Sequence, residues 1–401
     1  MIRKICCALL ILAIFIAGCS QYAAGINTED INSEAPADAG GGIPSGIPTN
    51  TAGGSVGSPT NTPIEVSGKI PAEIKTNPSV NRAWGGQMCE AGGAVYYVAD
   101  GGKGKDAPVH IARMNPDGSE TAVTGEYATV YGLTADDNNL YFLAATSRET
   151  SGEALYTLPL SGDKKELKMR DWDFGAPQAA GGRLYWEQDS NPDSKDNVTS
   201  IMSMNPDGTD ARQLLFVPVP YSSPFYFLAT PDGLYYSCPA DPDGDACALF
   251  YTDLQGQNKV QLNKQKLDRI DTLFYDENNL YFITLNYDKG DGLYSTVNRM
   301  DANGGQSVVL QHIDYFPQDD GANYFCGVSG NVFYYFGFDG GGMRELHSYD
   351  MIRMQDNSIA KADTDERPVL RSVRGMTIDV QSSHGFYILG NDLYYSFYDE
   401  P

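Results

Sequence analysis

Histidine is the side chain best suited to acid–base chemistry near neutral pH, and the sequence has four: His110, His312, His347 and His384. They are scattered along the chain, without the spacing of a metal site or an acid–base pair. We expect them to be structural or solvated. A fold with a central channel could nevertheless bring His110 and His384 together at that channel. The sequence also lacks the motifs of a serine nucleophile, a phosphate-binding loop or a zinc site.

Carboxylates alternate in the segment Asp241-Pro242-Asp243-Gly244-Asp245. Positions one, three and five of a twelve-residue calcium loop carry such groups, but the loop also needs Gly at position six and Glu at position twelve. Ala246 and Thr252 stand there instead. We therefore expect a polar loop and no cofactor, and we keep calcium binding by Asp241, Asp243 and Asp245 as an alternative.

A repeated pattern surrounds these residues and predicts the elements that position them. Each repeat has an aromatic pair after a tight polar turn, as in Asp137-Asn138-Asn139-Leu140-Tyr141-Phe142, and a later hairpin sequence ending in Gly, as in Leu160-Ser161-Gly162. Gly and Asn supply the positive φ of tight hairpin turns. Seven pairs occur: Tyr96-Tyr97, Tyr141-Phe142, Tyr185-Trp186, Tyr235-Tyr236, Tyr281-Phe282, Tyr334-Tyr335 and Tyr394-Tyr395.

Successive pairs are 44 to 60 residues apart, which matches a four-stranded propeller blade, and the period-two alternation excludes helical repeats. We predict an all-β, seven-bladed β-propeller over residues 63–401. Ile64–Lys75 would supply strands three and four of the blade that Leu393–Phe397 ends, so that both termini close the ring. Six blades is the alternative, if Ile64–Lys75 is only a linker.

The repeat also places the cysteines of the predicted domain. Cys238 would end a second strand and Cys247 would begin the third strand of the same blade. We predict a disulfide between them, which an exported protein permits. Cys89 and Cys326 fall in first strands of blades that are not neighbours, and we predict that they are buried thiols.

Strand order predicts a working face. In an up-and-down blade the tight turns share one face and the longer second-to-third connections share the other, and variable loops on a rigid scaffold usually carry binding. These connections contain 14 Asp or Glu and 5 Lys or Arg. We therefore predict an acidic ligand face that includes Asp189, Asp193, Asp241, Asp243 and Asp245. The six connections are Asp100–Asp106, Ser147–Ala154, Glu187–Asp196, Pro239–Ala246, Asn286–Gly292 and Gly337–Gly340.

The N-terminus predicts export. Arg3-Lys4 precedes an apolar run from Ile5 to Ile16 that is too short to span a bilayer but is typical of a signal peptide. Its end, Ile16-Ala17-Gly18-Cys19, resembles the bacterial lipobox. The resemblance implies that residues 1–18 are removed and that Cys19 carries lipid such as palmitate. Residues 19–62 are rich in Gly, Pro, Ser and Thr, which predicts a disordered tether.

The chain of 401 residues has a net charge of -24, which argues against nucleic acid as a partner because affinity for phosphates needs Lys and Arg. Aromatic pairs alternate along the chain with hairpin sequences that end in Gly, such as Met204-Asn205-Pro206-Asp207-Gly208. This alternation resembles bacterial propeller repeats of the low-density-lipoprotein-receptor type and Tol-type periplasmic propellers. The receptor's Tyr-Trp-Thr-Asp signature is absent, so its calcium sites are not carried over. The resemblance implies an envelope lipoprotein without an assigned role.

Three functions remain open. The first is a membrane-anchored binding or scaffold protein, at the cell surface or in the periplasm, with a protein, cationic or carbohydrate ligand on its acidic face. The second is an enzyme that processes envelope carbohydrate or peptide at the channel mouth, for which no acid–base set is evident. The third is a purely structural surface protein. We favour the first.

Overall fold

The computed structural model describes residues 78, 86–100, 107–115, 119–147, 153–161, 167–172, 174–189, 198–218, 225–240, 246–263, 267–276, 278–288, 292–314, 326–338, 344–361, 369–372, 377–379, 386–389 and 392–395. The chain divides into two units, Met1–Thr60 and Asn61–Pro401, and the described residues all belong to the second. The predicted signal peptide, Cys19, the tether and Ile64–Lys75 lie outside them. No helix in the described part is long and apolar enough to cross a membrane.

The described residues form strands, as the period-two alternation predicts. The strands are β1 (Met88–Ala91), β2 (Ala94–Asp100), β3 (Val109–Met114), β4 (Glu120–Ala122), β5 (Thr129–Ala135), β6 (Asn139–Ala145), β7 (Ala154–Pro159), β8 (Leu167–Asp171), β9 (Gln178–Ala180), β10 (Arg183–Asp189), β11 (Val198–Met204), β12 (Arg212–Pro218), β13 (Phe227–Thr230), β14 (Gly233–Pro239), β15 (Ala246–Thr252), β16 (Val260–Gln261), β17 (Leu267–Asp276), β18 (Asn279–Asp288), β19 (Gly292–Asp301), β20 (Val308–Asp314), β21 (Cys326–Ser329), β22 (Val332–Phe338), β23 (Arg344–Asp350), β24 (Gln355–Lys361), β25 (Val369–Ser372), β26 (Thr377–Asp379), β27 (Phe386–Leu389) and β28 (Asp392–Tyr395).

These strands build a β-propeller of four-stranded blades. Five sheets have four strands each, namely β1–β4, β5–β8, β9–β12, β21–β24 and β25–β28, and a sixth sheet joins β13 to β20. The eight-stranded sheet exists because the first residues of β17 pair with β15, as Ala246 with Asp268 and Cys247 with Leu267. The sheets therefore number six, which is the count of the alternative prediction, whereas the main prediction was a seven-bladed propeller.

The innermost strands close a ring. β1 contacts β5, and the contacts continue through β9, β13, β17, β21 and β27 back to β1. Side-chain hydrogen bonds support this inner wall: the Gln178 amide donates to Phe227 O at 3.0 Å and accepts from Ala229 N at 2.8 Å, which ties β9 to β13. The ring is thus held both by apolar packing and by polar links between neighbouring sheets.

The aromatic pairs form the core between the sheets. Counted outward from the innermost strand, each pair lies in the second strand of its set, and all fourteen side chains are at most 5% exposed. Neighbouring residues in a strand point to opposite faces of the sheet. The two rings of a pair therefore pack toward the strand sets on either side. Tyr235 packs with Ile270 and Phe282, whereas Tyr236 packs with Tyr185 and Ile201. Burying a large side chain of this kind stabilises the fold by about 2 to 3 kcal/mol.

The last sheet corrects the predicted closure. Its order is β26-β25-β28-β27, and the edge of β28 is paired with β25, as Arg371 with Tyr395 and Ser372 with Tyr394. Strands three and four of this set thus come from residues 369–379, and the assignment of these two positions to Ile64–Lys75 is wrong. The hairpin β25–β26 precedes β27 in the chain and fills the edge that an N-terminal segment would otherwise cover.

The first and last sheets meet through side chains. Tyr387 and Leu389 pack with Met88 and Val95 in one buried cluster, and the Tyr394 hydroxyl donates to Met114 Sδ at 3.6 Å. Within the described residues no strand pairing crosses this junction. The junction therefore closes by packing instead of by a shared sheet.

The predicted disulfide is not formed. Cys238 and Cys247 are both thiols among the described residues. Cys238 pairs with Ala248, and Cys247 pairs with Pro239, so the two cysteines are one register step apart and project from opposite faces of the sheet. A disulfide needs Cβ atoms that face each other about 4 Å apart. Cys89 is a buried thiol, as predicted, and the side chain of Cys326 lies outside the described set.

Candidate functional site

The ring has two ends, which differ in the strand connections they carry. One end, the turn face, carries the tight turns, for example those closed by the register pairs Ala91 with Ala94 and Met114 with Glu120. The other end, the loop face, carries the second-to-third connections, which leave the sheet after pairs such as Asp100 with Val109 and Asp189 with Thr199. The residues between those pairs lie outside the described part of the chain.

Asp136 shows how the turn face uses its carboxylates. Its Oδ1 accepts from the backbone N of Asn138 and of Asn139, both at 2.8 Å, and its Oδ2 accepts from the Tyr141 hydroxyl at 2.6 Å. Burial, and then this hydrogen bond, raise the pKa of Tyr141. One side chain therefore holds both the turn and the buried aromatic pair in place.

Other turns repeat the arrangement. Asp253 Oδ1 accepts from the backbone N of Gln255 at 3.0 Å and of Gln257 at 2.7 Å, and Asp207 Oδ1 accepts from Thr209 N at 3.0 Å and from its hydroxyl at 2.6 Å. These acceptors are fixed on their own turns, which leaves them poorly placed to bind a ligand.

Two carboxylates of the turn face also link neighbouring strand sets. The Tyr275 hydroxyl on β17 donates to Asp232 Oδ2 at 2.8 Å, between β13 and β14. The backbone N of Gly330 donates to Asp276 Oδ2 at 2.7 Å and connects the β21–β22 turn to β17. The turn face is therefore a network of internal hydrogen bonds.

We expect the turn carboxylates to make stability depend on acid pH. Hydrogen bonds from the Thr209 hydroxyl, the Gln257 amide and the Arg353 amide lower the pKa of Asp207, Asp253 and Asp350 respectively. A folded-state pKa below the unfolded value adds stability that is present above the unfolded pKa and is lost as pH falls through the folded pKa. The urea concentration at the unfolding midpoint should therefore decrease once the pH is below about 4. The Asp253→Asn variant should show a weaker dependence of this midpoint on pH. Asp137 is exposed and makes none of these hydrogen bonds, so Asp137→Asn should leave the pH dependence of stability unchanged.

Of the predicted ligand residues, the structure describes only the backbone of Asp189, at the loop face. Asp189 ends β10, where its backbone pairs with Thr199. Asp193, Asp241, Asp243 and Asp245 lie outside the described residues, so the calcium alternative stays a prediction.

The β18–β19 ladder is longer than the other described ladders. It continues to the pair Asp288 with Gly292, seven residues beyond Tyr281, whereas the others end three or four residues beyond the first residue of their aromatic pair. At 3.3 Å per residue this hairpin rises about 10 Å farther on the loop face.

A small cavity opens at the inner wall where β1, β5 and β9 meet. It measures about 40 Å³ and is lined by Gly86, Gly132, Leu133, Ala176, Pro177 and Gln178. A Cβ added at Gly132, where φ is 63°, would lie 2.9 Å from the Ala176 Cβ, so close strand approach requires glycine here. The cavity can hold water but is far below the roughly 300 Å³ of a small-molecule pocket.

His347 lies between two carboxylates. His347 Nδ1 lies 3.0 Å from Asp356 Oδ2, and its Nε2 lies 3.4 Å from Glu345 Oε2. The Tyr335 hydroxyl donates to the same Asp356 oxygen at 3.0 Å, and the Ser358 hydroxyl bonds to Glu345. Both ring nitrogens thus face carboxylates, and the cluster ties β22, β23 and β24 together.

Sequence reasoning did not find this cluster. The i, i+2 spacing of Glu345 with His347 and of Asp356 with Ser358 places each pair on one side of its strand, but only the hairpin register brings the two pairs together. His110 lies on β3 opposite Ala99, the side chain of His312 is not described, and His384 lies outside. No group of three or more His, Cys, Asp or Glu able to hold a metal occurs among the described residues.

No family model and no curated protein matches the sequence. Solved structures of similar fold include an oligogalacturonate lyase in complex with manganese, with a TM-score of 0.53, 12% identity and coverage of 84% of this chain and 97% of that one. TolB from Acinetobacter baumannii has a TM-score of 0.42 and 14% identity, with coverage of 67% and 63%. A chain of the nidogen/laminin complex has a TM-score of 0.40 and 16% identity, with coverage of 65% of this chain and 90% of that one. At these identities the likeness extends to the β-propeller fold alone.

Proposed function

We propose that this protein is a lipid-anchored, extracytoplasmic binding or scaffold propeller that takes a cation or a basic partner on its loop face. The observation that carries the proposal is the hydrogen bonding of the turn-face carboxylates. Carboxylates of the turn face, such as Asp136 and Asp253, are fixed by hydrogen bonds to their own turns. Ligand binding through carboxylates therefore falls to the connections of the opposite face.

The charge of those connections supports a cationic ligand. They contain 14 Asp or Glu against 5 Lys or Arg, and they arise from successive strand pairs around one ring. Potentials of like sign add over a low-dielectric wall, which raises the local concentration of a cation and its association rate. The extended β18–β19 hairpin adds height to one side of this face and gives a partner a lateral contact.

Membrane attachment rests on the lipobox-like segment that ends at Cys19. The predicted tether over residues 19–62 would have a mean reach of about 35 to 40 Å, and we propose that it holds the domain clear of the lipid headgroups. The proposed location is the cell surface or the periplasm, and the proposed partners exclude nucleic acid because of the net charge of -24.

We also infer that the ring counts as seven blades, of which two share a sheet. The joined sheet holds β13–β16 and β17–β20, and each of these sets contains its own aromatic pair, Tyr235-Tyr236 or Tyr281-Phe282. The seven innermost strands contact one another in turn. A propeller of this size leaves a channel whose loop-face mouth is the natural centre of a binding surface.

The proposal predicts a strong effect of neutralising the loop face. Isothermal titration with an oligolysine peptide, and separately with Ca²⁺, should show binding that weakens about tenfold or more when Asp189, Asp193, Asp241 and Asp243 are all changed to Asn. The oligolysine association rate should also fall with added salt, since exposed charges are screened beyond about 10 Å at 0.1 M.

Two single variants provide a matched control. Asp189→Asn removes one carboxylate of the loop face, and Asp137→Asn removes one exposed carboxylate of the turn face. Only the first should weaken binding. Equal losses in the two variants would place the ligand elsewhere, and unchanged binding by the fourfold variant would refute the proposal.

A further inference from the structure

The turn between β23 and β24 differs from the other turns of its face. Its residues Ile352 and Met354 are 72% and 77% exposed, the highest values among the large hydrophobic side chains of the described residues. The equivalent turns carry polar or small residues at their tips, such as Gln255 and Asn303. A change from polar to apolar at the most exposed positions indicates a contact surface.

The backbone of this turn is also unusual. Met354 has a φ of 52°, a left-handed conformation that is unfavourable for a side chain of its size. The other non-glycine residues with positive φ in the described part of the chain are Asp210 and Asn258, short polar residues that tolerate it. Strain of this kind is more often found where a side chain makes a functional contact.

The turn nevertheless has a fixed shape. Asp350 Oδ1 accepts from the backbone N of Ile352 at 3.0 Å and of Arg353 at 2.9 Å. Met351 packs against the core, and its backbone N donates to Asn331 O at 2.9 Å. Ile352 and Met354 are thus presented on a rigid support, which lowers the entropy lost when a partner binds.

Charge identifies the partner. Arg353 is 73% exposed and forms an ion pair with Asp350 at 3.3 Å, so residues 350–355 carry no net charge, whereas the whole chain carries -24. Two copies of this acidic chain repel each other, and a turn without net charge adds nothing to that repulsion. A patch with apolar side chains and both signs of charge is self-complementary, as a two-fold contact requires.

We propose that the β23–β24 turn is a contact between two copies of this chain. Ile352 and Met354 of each copy pack against the same residues of the other, while the Asp350–Arg353 ion pair within each copy keeps the contact free of net charge. The contact area is small, so the association is weak in solution. It rests on the proposed lipid anchor for its strength in the cell, because anchoring raises the effective concentration of the copies.

Sedimentation equilibrium of the chain from residue 19, with Cys19→Ser to remove the lipid, tests the proposal. We expect concentration-dependent dimerisation, weakened about tenfold or more by Ile352→Ser with Met354→Ser, because full burial of a large apolar side chain contributes about one power of ten. Phe216→Ser, which removes a side chain 62% exposed on β12, is the matched control and should change nothing.

Met354→Gly separates a contact residue from a merely strained one. It should raise the thermal midpoint, since Gly tolerates positive φ, and at the same time weaken dimerisation. Added salt should strengthen dimerisation by screening the repulsion between acidic copies. The idea is overturned if the chain stays monomeric at millimolar concentration, if Phe216→Ser is equally effective, or if Ile352 and Met354 instead govern binding to lipid vesicles. Oligolysine binding to the loop face is unaffected by any of these outcomes, so it tests the proposed function separately.

Discussion

Cys19→Ala should leave the exported protein without a membrane anchor. In the lipobox-like segment that ends at Cys19, the thiol is the expected site of acylation, and the apolar run before it is too short to hold the chain in a bilayer. Detergent phase separation should therefore move the variant from the detergent phase into the aqueous phase. Metabolic labelling with an alkyne analogue of palmitate should drop to background.

Cys6→Ala and Cys7→Ala are the matched controls for this experiment. Both cysteines lie within the apolar run and are expected to leave with the signal peptide, so attachment and labelling should persist in each variant. Detergent-phase partitioning of an exported Cys19→Ala protein would show that another segment provides the anchor.

Gly233→Ala should cost about 3 kcal/mol of folding stability. A Cβ at this position would lie 2.4 Å from Tyr251 Cε2 and 2.6 Å from the backbone oxygen of Thr252. The ring cannot easily move, because the Tyr251 hydroxyl donates to Asp232 O at 2.9 Å and the ring packs 5.2 Å from that of Tyr235. Urea unfolding followed by circular dichroism measures the loss.

Gly93→Ala isolates the backbone part of such a change. Gly93 has a φ of 71°, and nothing lies within 4 Å of its added Cβ. The cost should therefore be that of the left-handed conformation alone, about 1 to 2 kcal/mol. A Gly233→Ala variant no less stable than Gly93→Ala would mean that the packing around Tyr251 is looser than described.

The sequence was sufficient to predict the repeated parts of the fold. Aromatic pairs such as Tyr141-Phe142 lie buried in second strands, with the tight turns directly before them, because alternation and turn chemistry are both local properties of the chain. The turn after Met204 likewise forms where Asn205 and Gly208 predict it, with Gly208 at a φ of 83°.

Non-local pairing was predicted less well. Nothing in the period-two pattern says which segment pairs with the edge of β28. Ile64–Lys75 was therefore predicted for a position that Val369–Ser372 occupies. The Cys238–Cys247 disulfide was wrong for a related reason, because a shift of one residue in register turns a side chain to the opposite face. The joining of β15 with β17 also depends on where one strand crosses to the next set.

The candidate site follows the same division. Loop composition predicts the acidic connections directly, and Asp189 is found at the end of β10, where the loop face begins. The bonding of turn carboxylates such as Asp136 and Asp350 could not be foreseen, since the sequence shows their charge but not their acceptor geometry. The Glu345–His347–Asp356 cluster likewise required the register of two neighbouring strands.

Carboxylate footprinting tests the difference between the two faces most directly. Carbodiimide coupling with an amine label, read by mass spectrometry, should modify Asp193, Asp241 and Asp243 quickly and Asp136 and Asp253 slowly, because hydrogen bonds hold the latter two. Oligolysine should then protect only the loop-face residues. Fast labelling of Asp136 and Asp253, or their selective protection by oligolysine, would contradict the assignment of the loop face as the binding surface.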